Sequence, residues 1–127
     1  MPKPITAAEA RDTLRWCMQR ADHAFAWKRK DLDGHYVGGA KHLRGVRVAV
    51  RYNRHGRRQV LLGDLTPNAR PSRITPELIE LFSFHHTKVA GSPLRVSYSE
   101  PRQPREDGSY AWVVLNPDQT EERQSLF

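Results

Sequence analysis

The 127 residues contain a single cysteine, Cys17. One thiol cannot form an intramolecular disulfide or a thiolate metal cluster within one chain, so a reducing, cytoplasmic setting is the expectation. Long apolar runs are missing too. Every stretch free of charge falls far short of the ~18 residues a spanning helix needs, and no membrane insertion is expected. The opening segment MPKPITAAEARD has no apolar stretch after its lysine, so no signal peptide is expected. Motifs that carry chemistry are equally scarce. There is no H-E-x-x-H, no cysteine pair, and the Gly38-Gly39 pair lacks the spacing of a Walker or dinucleotide-binding loop. Two adjacent glycines are expected to serve turn geometry, and neither a cofactor nor a metal is expected.

Lysine is sparse, five residues against 16 arginines. The planar guanidinium suits bidentate contacts with phosphate or carboxylate better than an ammonium does. These arginines are segregated. Residues 41 to 73 hold nine basic side chains (Lys41, Arg44, Arg47, Arg51, Arg54, Arg57, Arg58, Arg70, Arg73) against one acid, Asp64, a net of +8 where the whole chain carries +7. Everything outside the block nearly cancels. Charge concentrated in this way attracts polyanions or an acidic protein face.

Composition is that of a folded chain, 38% hydrophobic and 28% charged, and the length suits one domain over residues 1–127 with a polar tail at about 117–127. Thr6 and Glu9 form an S/T-x-x-E capping box. Behind it Ala10, Leu14, Cys17, Ala21 and Phe25 recur at helical spacing, with Trp16 and Trp27 off the stripe, which predicts an amphipathic helix over 7–27. Residues 31–45 are rich in turn formers and predict a loop with one short strand around His35–Val37. Val46, Val48, Val50 and Tyr52 then alternate with Arg47, Ala49 and Arg51, the mark of a half-buried strand. Asn53 to Gly56 supply a four-residue turn, and 57–62 return antiparallel.

After a polar connector over 63–73, Thr75 and Pro76 open a short helix over 76–84 with Leu78, Ile79, Leu81 and Phe82 on its apolar side, followed by His85 and His86. A second hairpin is predicted after Pro93: Leu94, Val96 and Tyr98 on one strand, a charged excursion over 100–109, and a return strand through Tyr110, Trp112 and Val114. Ala111, Val113 and Leu115 make that strand apolar on both faces, which predicts a position inside the sheet. The expected architecture is therefore α+β: a small single domain whose helices pack on a mostly antiparallel four-stranded sheet, in the order helix, hairpin, helix, hairpin.

If the valines face the helices, Arg47 and Arg51 stand on the outer face, with an expected separation of about 7 Å, comparable with phosphate spacing on one DNA strand. Arg58 and Arg95 are expected to join them. Arg44 and the tip residues Arg54, Arg57 and Arg58 extend the basic surface, and Tyr36 is the candidate stacking aromatic. The expected function is that of a small, basic, non-catalytic accessory or regulatory protein binding nucleic acid, DNA or RNA. The alternative is an adaptor or inhibitor that sets the same arginines, with Trp16 and Trp27, against an acidic protein surface. A metal-dependent hydrolase or nuclease is the second alternative. It requires Asp33, His35 and His42 to converge; Cys17 and His85 are a separate nucleophile and base pair on paper, but Cys17 lies in the apolar stripe, where a buried, inert thiol is expected.

Overall fold

The computed structural model describes residues 4–65, 73–90, 94–96, 110 and 112–117. The first helix, α1 (Ala7–Ala26), starts where the capping box predicts. The Thr6 hydroxyl accepts from the Glu9 N–H at 3.2 Å, and a Glu9 carboxylate oxygen accepts from the Thr6 N–H at 3.0 Å. Ala10, Leu14, Cys17 and Ala21 are fully buried, as the helical spacing predicts. Phe25 is not: it is 39% exposed, because α1 ends over the open end of the sheet, where its ring lies 4.4 Å from Tyr52 and 4.8 Å from Tyr36.

Strands β1 (Tyr36–Leu43), β2 (Val46–Tyr52), β3 (Arg58–Asp64), β4 (Leu94–Val96) and β5 (Trp112–Pro117) form one antiparallel sheet in the order β1-β2-β3-β5-β4. The four predicted strands are β2 to β5. The short strand expected near His35–Val37 is instead eight residues long and becomes a fifth strand, at the sheet edge. Its Gly38-Gly39 pair does not make a turn. The register slips between Tyr36 and Gly39, and a Cβ on Gly38 would run into the Val50 carbonyl. A Cβ on Gly39 would sit 2.8 Å from the Cys17 carbonyl, so glycine is what lets α1 lie close on β1.

The second helix, α2 (Pro76–Ala90), is capped by Thr75, whose hydroxyl accepts from the Leu78 N–H at 3.2 Å. It runs six residues past the predicted end. His85 and His86 lie within it, 7% and 0% exposed, rather than after it. No proline or glycine interrupts the segment before Gly91. Both helices share one face of the sheet, α1 over β1 and β2 and α2 beside it toward β4. Val46, Val48, Val50, Val60, Leu62, Val113 and Leu115 point up into one cluster with Leu14, Ile74 and Phe82. Parts of the predicted connector, the 100–109 excursion, Tyr98 and the tail past 117 lie outside the described residues.

The turn joining β1 to β2 uses two residues with positive φ, Arg44 (49°) and Gly45 (84°), the geometry that matches strand twist. A left-handed arginine costs backbone energy, and its side chain offsets that. The Arg44 guanidinium donates Nε–H to both Glu9 oxygens at 2.9 and 3.0 Å, and its Nη2 lies 2.9 Å from the same carboxylate. That contact, with the Thr6 bonds, holds the Glu9 carboxyl at a pKa of about 2, below its ordinary 4.5. A depressed carboxylate contributes stability that is complete above the unfolded pKa and disappears as pH falls through the folded one. Acid titration is thus expected to destabilise the fold progressively between about pH 4.5 and 2 through this group. Glu9→Gln should flatten that limb in denaturant melts taken across the window, and an unchanged limb would show that the pair is not coupled to folding.

Candidate functional site

The basic block is sorted by the sheet into two populations. On the helix side, its arginines already have anionic partners. Arg44 holds Glu9, as described. Arg58 donates to the Tyr52 hydroxyl at 2.9 Å and to Asp22 at 3.3 Å. Arg73 reaches Asp64 through its backbone N–H at 2.9 Å and its guanidinium at 3.5 Å. Arg58 was expected on the outer face; it stands on the helix side because it shares the alternation of buried Val60 and Leu62. Asp64, the block's one acid, is buried on that same side, 8% exposed.

The other population faces away from the helices. Three rows of residues cross this outer face in register. The first is His42, Arg47, Gly63 and Trp112 on β1, β2, β3 and β5. The second, Ala40, Ala49, Leu61 and Val114, is apolar. The third is polar: the Arg51 guanidinium donates to Gln59 at 3.0 Å, and the Gln59 amide donates to Asn116 at 2.8 Å. Arg95 pairs with Asn116 in register, so its backbone continues this row on β4; its side chain lies outside the described residues.

Arg47 is exposed and Arg51 half-buried. They are four residues apart on one strand, four residues of rise or roughly 13 Å, rather than the separation of about 7 Å expected. They flank a shallow depression of about 270 Å³ floored by Ala40 and Ala49. Burial lowers the Arg51 pKa, opposed by Asp31 and Asp33 nearby, and it remains a cation at neutral pH. Those two aspartates approach from the loop before β1; no acidic residue of a described strand faces this surface.

Beyond the third row lies the β2–β3 turn. Asn53 builds it, its side-chain oxygen accepting from the N–H groups of His55 and Arg57 at 2.9 and 3.0 Å, with Gly56 at φ 77°. Arg54 and Arg57 are exposed there. Tyr36 also lines the depression, while its ring packs beside Phe25, with the Lys30 ammonium 5.1 Å from its centre. Trp112, 42% exposed, stands on the outer face in register with Arg47 and Gly63. Trp112, His42 and Gly63 are the outer-face residues that sequence reasoning missed. The signal for Trp112 is the apolar second face of β5, which in sequence has the composition of a strand buried on both sides.

The residues of the hydrolytic alternative do not come together. His35 immediately precedes β1 and His42 lies near its other end, roughly 20 Å apart at strand rise. Among the described residues no three His, Cys, Asp or Glu side chains gather as metal ligands. Cys17 is fully buried with its thiol 3.7 Å from the Val48 carbonyl, and burial pushes its pKa up to about 11, which leaves it a neutral, poor nucleophile. A cleft of about 280 Å³ between the start of α1 and the start of α2 is lined mainly by apolar side chains such as Ile5, Leu78 and Leu81, and its two arginines are Arg44 and Arg73, both ion-paired. Among the described residues no helix is long and apolar enough to cross a membrane. Compared with known proteins, the chain matches no family model, no curated protein and no solved structure.

Proposed function

We propose that the protein binds nucleic acid without catalysis, as a small basic accessory or regulatory factor, through the uncovered face of its sheet and the β2–β3 turn. The observation that carries this reading is the sorting of charge. Arg44, Arg58 and Arg73 are consumed by carboxylates on the helix side, while Arg47, Arg51 and Arg54 line the outer face and the turn. Asp64 is buried behind the sheet, and Asp31 and Asp33 offset the positive potential in front of it only in part. Cations at these spacings suit alternate phosphates of a backbone, contacts that fix position and give salt-dependent affinity. Cytoplasmic residence belongs to the same proposal, since the lone buried thiol needs no oxidising compartment.

One feature favours an acidic protein partner as a second reading. Trp16, Arg20, His23 and Trp27 form a ridge along α1 beside the β1 edge. The Arg20 guanidinium lies 3.6 Å from the Trp16 ring centre, His23 and Trp27 are 6.0 Å apart, and Trp27 is 70% exposed. Tryptophan with arginine is the composition of protein hot spots.

Mapping amide shifts of the labelled protein on addition of a short mixed-sequence oligonucleotide separates the two. Nucleic-acid binding predicts shifts on β2, β3, β5 and residues 53–57. Absence of shifts at low salt, or shifts confined to the α1 ridge, would reject the sheet face as the interface.

A further inference from the structure

The row His42–Arg47–Gly63–Trp112 has an opening at its third position. Gly63 lies inside β3, flanked by Leu62 and Asp64, where a branched side chain would stabilise the strand. Its backbone does not require glycine, for it is not among the glycines with positive φ. Packing does not require it either: among the described residues, a Cβ built there meets nothing within 4 Å. Gly38 and Gly39 contrast with it, since each is held to glycine by a neighbouring backbone. A strand-interior glycine with open space above it marks a place where a ligand or another chain approaches the sheet. Trp112, its direct cross-strand partner, does not fill that space and remains 42% exposed.

Arg47 stands across Gly63 from Trp112. Two strand spacings separate their backbones, about 10 Å. Van der Waals contact between carbon atoms needs about 3.5–4 Å, so one planar ring fits between the indole and the arginine. A protein side chain would satisfy the apolar part of this slot but not the adjoining cations. A nucleotide satisfies both, with a π-face for the indole and a phosphate for Arg47. Duplex bases are stacked on both faces, so only an unstacked base can enter.

We infer that Gly63 and Trp112 form a base-stacking subsite that seats one unstacked nucleobase of a single-stranded nucleic acid, with Arg47 on the adjacent phosphate. The inference rests on the nucleic-acid reading above and adds to it a preference for single strands that tolerates any base, since every base presents a π-face.

The test compares wild type with Gly63→Leu, which fills the slot, Trp112→Ala, which removes the platform, and Trp112→Phe, which keeps a smaller one. Affinity for a labelled mixed-sequence single strand and for its duplex is measured by anisotropy over a salt series, with a thermal melt of each variant. Gly63→Leu and Trp112→Ala are expected to weaken single-strand binding roughly tenfold to hundredfold, the worth of one stacked base. Trp112→Phe should retain most of the affinity, and the salt slope should not change because the phosphate contacts persist. If Trp112→Ala proves unstable, Gly63→Leu and Trp112→Phe still decide the matter. Wild-type binding that Gly63→Leu leaves within about twofold would overturn the slot while sparing the nucleic-acid reading. Failure of wild type to bind either probe at about 50 mM salt would overturn both.

Discussion

Phe82→Ala is expected to destabilise the protein by about 3–5 kcal/mol, and Leu14→Ala by about 2–5. Phe82 is the largest fully buried side chain among the described residues, and Leu14 is likewise 0% exposed. They sit on α2 and α1, the two helices that close the core from above, and meet the same cluster of strand valines and leucines. Truncation removes apolar area from that cluster and leaves a cavity that the sheet, pinned by its ladders, cannot collapse into. Small domains have roughly 5–15 kcal/mol in total, so either change consumes a large share. Phe25→Ala provides the contrast. Its ring is 39% exposed and interacts chiefly with Tyr36 and Tyr52, so the loss should be smaller, nearer the roughly 0.5–1.5 kcal/mol of an aromatic pair plus partial burial. Urea melts of the three variants check the ranking. A Phe25→Ala loss equal to that of Phe82→Ala would mean that the tyrosine cluster, not the helix–sheet cluster, dominates stability.

The elements that were legible in the sequence are those whose local signals and burial agree. The Thr6–Glu9 box set the start of α1, the valine alternation set β2 and its core face, and Asn53 with Gly56 set the turn. β1 was hidden because its glycines, which admit a helix and a bulge, have the composition of a loop, and because an edge strand keeps polar residues such as Lys41 and His42. The reach of α2 was hidden because paired histidines look polar, whereas packing against α1 and the sheet buries them.

At the site, the position of Arg58 could have been read from its two-residue spacing to Val60 and Leu62. The Arg44–Glu9 pair could not, since those residues are 35 apart in sequence and meet only through the fold. The outer face is hidden from sequence for a related reason. Sequence reports that β5 is apolar on both sides, but not that the helices cover one side only, which leaves Trp112 and Val114 on the face without a helix.

The arginines separate in the same way, and this yields the second large effect. Arg47→Ala, Arg54→Ala and Arg57→Ala combined are expected to weaken binding to nucleic acid while leaving the fold intact, since all three side chains are exposed on the outer face or the turn. Arg58→Ala is expected to do the reverse. It breaks the half-buried contacts to Tyr52 and Asp22, lowering stability, but removes no phosphate contact. Dependence of log K on log salt distinguishes these roles, because each phosphate contact contributes about 0.7 to the slope for a single strand and about 0.9 for a duplex. Titrating wild type, the triple variant and Arg58→Ala against the same labelled oligonucleotides across a salt series is the most direct measurement. The expected result is a triple-variant slope shallower by roughly 2 for the single strand, beside an Arg58→Ala slope equal to wild type. Equal slopes for the triple variant and wild type, or a loss of slope in Arg58→Ala alone, would contradict an interface on the outer face of the sheet.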